Sequence, residues 1–226
     1  MKKLILLLAT ISILVSCDTK QTVIDTGVCN PYFEGSIMEY LRAREDGYWD
    51  LTIQMIERAG LTDLFEGREE DCPQITFFAP PSYAIQRFML DSQKDKINGT
   101  NRIEGEYKVI EDFTVEQCKD YILFHVVNEK RLKSSFEYKN KDYFISDEQG
   151  GGTDLTTIAG NRFRAYVQKG TWVVADVGAE SMGLYSLTTE IEIPVATPDI
   201  QPRNGVIHAL HTGYDFGNVL VWESKK

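Results

Sequence analysis

Apolar residues recur at helical spacing through the first half of this chain, whereas the second half holds short strand-like runs cut by glycine turns. Ile37, Met38 and Leu41 follow Ser36, an N-cap with Glu39 three residues on as its capping-box partner. Leu51, Met55, Ile56 and Ala59 form one face behind Asp50, and Gly60 is placed to stop that helix. Leu61, Leu64 and Phe65 continue in a further turn. Ile75 to Ala79 reads as a buried strand ended by Pro80 and Pro81, and Ser82 as the cap of a short helix to Met89. Thr114 with Gln117 opens a helix whose face is Val115, Cys118, Tyr121 and Ile122. Strand-like runs follow at 125–127, 131–136, 142–146, 163–167, 171–176, 184–193 and 205–211, with a last one at 219–222. Helices first and strands later predict an α+β domain rather than alternating βα units. The polar, Gly-containing stretch 91–106 reads as a surface loop, with Asn98-Gly99-Thr100 as a turn.

The N-terminus has a separate character. Lys2 and Lys3 precede an apolar run from Leu4 to Val15, too short for a stable membrane span and fitting a secretory signal peptide. Leu14-Val15-Ser16-Cys17 resembles the lipobox of bacterial lipoproteins, which implies cleavage before Cys17 and lipidation of that cysteine. Residues 1–16 are then the signal peptide and 17–32 a lipidated tether. The domain occupies 33–215, and 216–226 form a C-terminal strand or tail. The expected location is a bacterial cell envelope, lipid-anchored, with the outer membrane favoured on adhesion grounds.

Charge narrows the partners. The net charge is −10, and the signal peptide carries away two of the 24 basic residues while all 34 acidic ones remain. Such a surface argues against nucleic acid, whose phosphates require clustered Lys and Arg. Of the four cysteines, Cys17 is assigned to lipid, leaving Cys29, Cys72 and Cys118. Cys72 and Cys118 are a candidate disulfide in an envelope that permits one; independent buried or free thiols fit equally. Their spacing matches no compact zinc pattern.

Four segments, in order, resemble the fasciclin-type (FAS1) domain family: Trp49 to Leu64 its first long helix, Ile75 to Ile85 its TVFAPT segment, Tyr121 to Val127 its LLYHVV segment, and Asn204 to Leu210 its NGVIH segment. The resemblance implies a mostly antiparallel β-sandwich or wedge with N-terminal and flanking helices. It also implies extracellular adhesion or ligand capture. In animal members an Asp-Ile pair before the NGVIH segment, and the Tyr-His pair, are implicated in integrin recognition. That carries ligand-binding roles onto Asp199, Ile200, Phe124 and His125. As a residue, Asp199 reads first as a turn between Pro198 and Pro202. Pro81 and Ile85 depart from the family's usual Thr and Phe, and Phe124 replaces its Tyr.

No catalytic constellation stands out. There is no G-x-S-x-G, HExxH or CxxC, and His208 and His211 are three apart on a strand, so they point to opposite faces. His125 and His208 read as hydrogen-bonded structural histidines. No enzyme activity, metal or cofactor is expected. The reading is a cell-envelope lipoprotein whose FAS1-like domain serves non-catalytic adhesion or extracellular ligand binding, with a protein or glycan ligand and a membrane attachment through lipid. The alternatives are a surface glycan-binding accessory protein, with Trp49, Trp172, Tyr185, Tyr214 and Trp222 as candidate sugar platforms, or a periplasmic scaffold.

Overall fold

A computed structural model describes residues 30–93, 105–170 and 178–217. The chain divides into two units at Asn30/Pro31, and of the first only Asn30 is described. The signal peptide, Cys17, Cys29, the expected strands at 171–176 and 219–222, Asn98-Gly99-Thr100, Trp172 and Trp222 therefore lie outside the described residues.

Among the described residues of the second unit are five α-helices and seven strands. The helices are α1 (Ile37–Arg42), α2 (Asp50–Arg58), α3 (Thr62–Glu66), α4 (Ser82–Ser92) and α5 (Val115–Leu123). The strands are β1 (Ile75–Ala79), β2 (Val126–Val127), β3 (Thr153–Thr156), β4 (Arg162–Lys169), β5 (Glu180–Ser186), β6 (Ile191–Ile200) and β7 (Gly205–Leu210). Local chemistry explains the helix ends. Ser36 and Thr114 each close a full capping box, with Glu39 and Gln117. Gly60, just past α2, takes a φ of 70°. Ser82 does not cap α4. Pro81 occupies the N-cap, and the Ser82 hydroxyl instead accepts the Leu51 N–H at 3.1 Å, joining α4 to α2.

The strands form one sheet in the order β2-β1-β7-β6-β5-β4-β3. Only β1 and β7 run parallel; the other neighbours are antiparallel. Every residue of β1 and β7 is buried, as befits strands covered on both faces. Gly205 opens β7 where a Cβ would stand 2.1 Å from the Ile75 carbonyl oxygen, so only glycine lets the two strands approach.

Strand β6 is the corner. Residues 191–194 pair with β5, and Val195, Thr197 and Ile200 pair with β7, with register shifts between those three. Pro194 and Pro198 sit where ladder donors are dispensable, and the bulges bend the strand from one half of the sheet to the other. Helices α1 to α5 and the sheet share one core, from Ile37 and Trp49 through Phe77, Phe78 and Phe163. That core also takes in Phe216, one residue past the expected domain limit.

Three expected strands fail. Residues 131–136 form a 3-10 turn at Lys133–Ser135, and 142–146 are irregular. There Arg164, buried in β4, donates to the carbonyls of Ile145 and Asp147 and so takes acceptors a ladder would need. The run 184–193 is cut by a turn at 187–190, where Glu190 has a φ of 60°.

Candidate functional site

The residues that carry the sequence motifs converge inside the domain. His125 is wholly buried between α5 and β2. Its Nδ1 lies 2.7 Å from the Tyr121 carbonyl oxygen, which can only accept, so Nδ1 bears the proton. Nε2, 2.9 Å from the Tyr214 hydroxyl, then accepts. Burial pushes the imidazole down to about 4 and raises the Tyr214 phenol, so a neutral ring accepts from a protonated tyrosine. His208, on β7, holds the opposite tautomer. Its Nε2–H donates to the Arg131 carbonyl at 2.9 Å, and Nδ1 accepts the Asp199 N–H at 3.2 Å. Burial lowers its pKa as well.

Phe78 joins the two histidines. Its N–H donates to the His125 carbonyl at 2.9 Å, and its ring stacks on His208 at 5.4 Å. Phe163 of β4 meets Phe124 edge-on at 5.0 Å and Phe78 at 6.2 Å. Asn204 anchors the other end of β7, donating to the Phe65 carbonyl and accepting the Ile37 N–H at 2.8 Å. The sequence motifs did not reveal Phe163 or the role of Tyr214. Both come from segments outside the four motif runs.

This seam corrects several expectations. Phe124 and His125 are fully buried and offer a ligand no surface. Asp199 is not a free knob: it is the bulge residue of β6, with a φ of 63° that aspartate tolerates better than most residues. Its Oδ1 accepts the Lys133 N–H at 2.7 Å. Ile200 pairs with Ile207 and packs half-buried on the core. Trp49 and Tyr214 are buried, so neither is a sugar platform. Cys72 and Cys118 are both free thiols, not a disulfide. Cys118 is buried on α5 and Cys72 half-exposed, and burial raises both thiols, Cys118 to about 11. Among the described residues, no group of three or more His, Cys, Asp or Glu is placed to hold a metal ion, and no helix is long and apolar enough to cross a membrane.

The surface instead has a ledge of aromatic side chains on the segment before β3. Phe144 is 80% exposed, Tyr138 51% and Tyr143 48%. Two grooves of about 730 and 600 Å³ adjoin there and share Lys139, Lys141 and Asp142. Asn140, Gln168 and Tyr138 help line the first; Tyr185, Ser146 and Glu192 help line the second. Sequence reasoning read 142–146 as a strand and so missed the ledge; Tyr143-Phe144 next to Asp142 was the available signal.

The family model described as a fasciclin domain matches residues 49–212. Among solved structures, the FAS1 domain pair from the insect cell adhesion molecule fasciclin I is similar in fold, with a TM-score of 0.50 and 16% sequence identity. The match covers 82% of this chain and 52% of that one, so this chain spans about half its length. No curated protein matches in sequence.

Proposed function

This chain belongs to the fasciclin-domain family, and from that premise we propose that it is a lipid-anchored cell-envelope protein. Its domain serves non-catalytic adhesion or extracellular ligand capture. The single observation that supports an adhesion-type role is the family match over residues 49–212, the span that holds the histidine seam and both strands it joins. Support for the anchor is the sequence Met1 to Cys17: two lysines, a short apolar run and a cysteine after Leu14-Val15-Ser16. Two or more acyl chains on Cys17 hold a protein stably, at about 0.8 kcal/mol per buried CH₂. The domain's own chemistry supports a binding role over catalysis: both buried histidines have each ring nitrogen engaged by a protein partner, leaving neither poised as a base for substrate.

Two measurements test this. Cys17→Ala should release the protein from the membrane fraction, or strand it as an uncleaved, unacylated precursor, while leaving its fold intact. Retention of that variant with normal acylation refutes the anchor. Protease shaving of intact cells should cleave the protein while periplasmic markers survive. Protection until the outer membrane is opened refutes an outward-facing adhesive role and favours a periplasmic scaffold.

A further inference from the structure

The ledge before β3 is built rather than incidental. Exposed aromatics on a long segment would ordinarily fold back onto apolar surface. Here the backbone beneath them is pinned at many points. Ile145 is buried and holds the segment down beside the exposed Phe144. Arg164, itself buried, donates to the Ile145 and Asp147 carbonyls and meets the Asp154 carboxylate through Nε at 2.6 Å. Asn140 N–H donates to the Gly150 carbonyl at 2.8 Å, and Lys139 N–H to the Val167 carbonyl at 2.8 Å. A Cβ at Gly150 would stand 2.2 Å from the Phe144 carbonyl oxygen, so the glycine run is packed directly against the ledge. A segment ordered this way presents its rings without a further backbone-ordering cost on binding.

Five of the charges around the rings are paired in place. Lys139 pairs with Glu192 at 3.2 Å and lies over the Tyr166 ring. Lys169 reaches Glu180 at 3.9 Å and lies over the Tyr138 ring, while the Tyr138 hydroxyl and Lys133 also engage Glu180. These contacts hold the Glu180 carboxyl below the usual range, the Tyr138 hydrogen bond first among them. A charged ligand would find Lys133, Lys139, Lys169, Glu180 and Glu192 already paired. A protein partner would have to desolvate these ion pairs at the centre of its contact, where Lys, Glu and Asp are depleted in protein interfaces. A neutral, hydroxyl-rich chain meets neither obstacle. Its C–H faces can pack on flat rings, and its hydroxyls can pair with the Asn140 and Gln168 side-chain amides that line the first groove.

We infer that the Tyr138–Tyr143–Phe144 ledge and its two grooves are a binding site for a neutral glycan chain. The inference deepens the ligand-capture half of the proposed function and does not depend on the lipid anchor. The test is affinity electrophoresis of the detergent-extracted full chain in gels holding starch, β-glucan, xylan, mannan or levan. Polygalacturonate and heparin serve as anionic probes, and immobilised collagen and fibronectin as protein probes. The expected result is retardation by at least one neutral polysaccharide, weakened roughly tenfold or more by Phe144→Ala and by Tyr143→Ala at unchanged melting temperature. Both side chains are exposed, so neither truncation should disturb the fold. The assignment is overturned if no neutral polysaccharide retards the chain, if only the anionic probes do, or if retardation survives both substitutions. It is also overturned if Phe144→Ala abolishes capture by a protein probe in the absence of any polysaccharide binding. A chain that is shaved from intact cells yet ignores every polysaccharide sinks this site alone and leaves the envelope reading standing.

Discussion

Replacing His125 by glutamine should flatten the acid response of this fold. The imidazole is completely buried and its pKa falls from 6.5 to about 4, chiefly through desolvation. Between those values the unfolded chain binds a proton that the native state refuses. Stability attributable to His125 therefore rises with pH through this window and is lost as pH falls from about 6.5 to about 4. At about 1.4 kcal/mol per pKa unit, the loss is about 3 kcal/mol, a large part of an ordinary domain's stability. Carboxylates such as Asp154, held low mainly by Arg164, also lose stability in acid, so the wild-type profile alone does not isolate the histidine. The difference between the two proteins does. At pH 7, His125→Gln disturbs the bonds to the Tyr121 carbonyl and the Tyr214 hydroxyl and should cost about 2 kcal/mol. At pH 4 the variant should be as stable as the wild type or more so. Urea unfolding of both proteins at half-unit steps from pH 4 to 8 reads this directly. Parallel profiles, with a constant gap at every pH, would refute the neutral buried histidine.

Asn204→Ala removes two buried hydrogen bonds, to the Phe65 carbonyl and from the Ile37 N–H, and should cost about 2–4 kcal/mol in urea unfolding; a change under about 0.5 kcal/mol would contradict the anchoring role. Gly150→Ala drives a Cβ to 2.2 Å from the Phe144 carbonyl and should displace the ledge, read as a more than twofold rise in proteolytic nicking at 141–147 with the rest of the domain protected. In a thiol-reactivity assay on the native protein, Cys72 should react slowly and Cys118 only after unfolding, since burial raises Cys118 to about 11; equal rates for the two would contradict their different burial.

What the sequence revealed and what it hid divide along physical lines. Helix ends were legible because their chemistry is local: the capping boxes at Ser36 and Thr114 need only four consecutive residues. Strand β1 was legible because burial on both faces leaves an apolar run broken only by Thr76. The stretch 142–146 was not. Tyr143-Phe144-Ile145 has the composition of a strand, but its conformation is decided by Arg164, which lies some twenty residues away in sequence. The course of β6 was hidden for the same reason. Its bulges exist to hand the strand from β5 to β7, a requirement of the sheet rather than of residues 191–200. Asp199 showed a carboxylate beside an apolar residue and invited a contact role. Only the folded chain shows that carboxylate closing on the Lys133 N–H.

The departures from the family pattern support the same division between frame and function. Pro81 caps α4 with a φ of −73°, the value a proline ring enforces, at a position where a missing N–H leaves no intrahelical bond unmade. Ile85 is buried on α4, so it fills core volume as a Phe would and meets no solvent. Phe124 packs against Phe163 and His125, wholly inside. Each departure is thus met by local packing, and none alters what the surface offers. The motifs that identify the family build the interior seam of His125, Phe78 and His208. They specify a frame, and they leave open what the frame holds. The exposed ledge carries none of those motifs and is pinned by Arg164 and Gly150 instead. The ledge can therefore be substituted without touching the residues that keep the domain folded, because it rides on a segment positioned by a rigid scaffold.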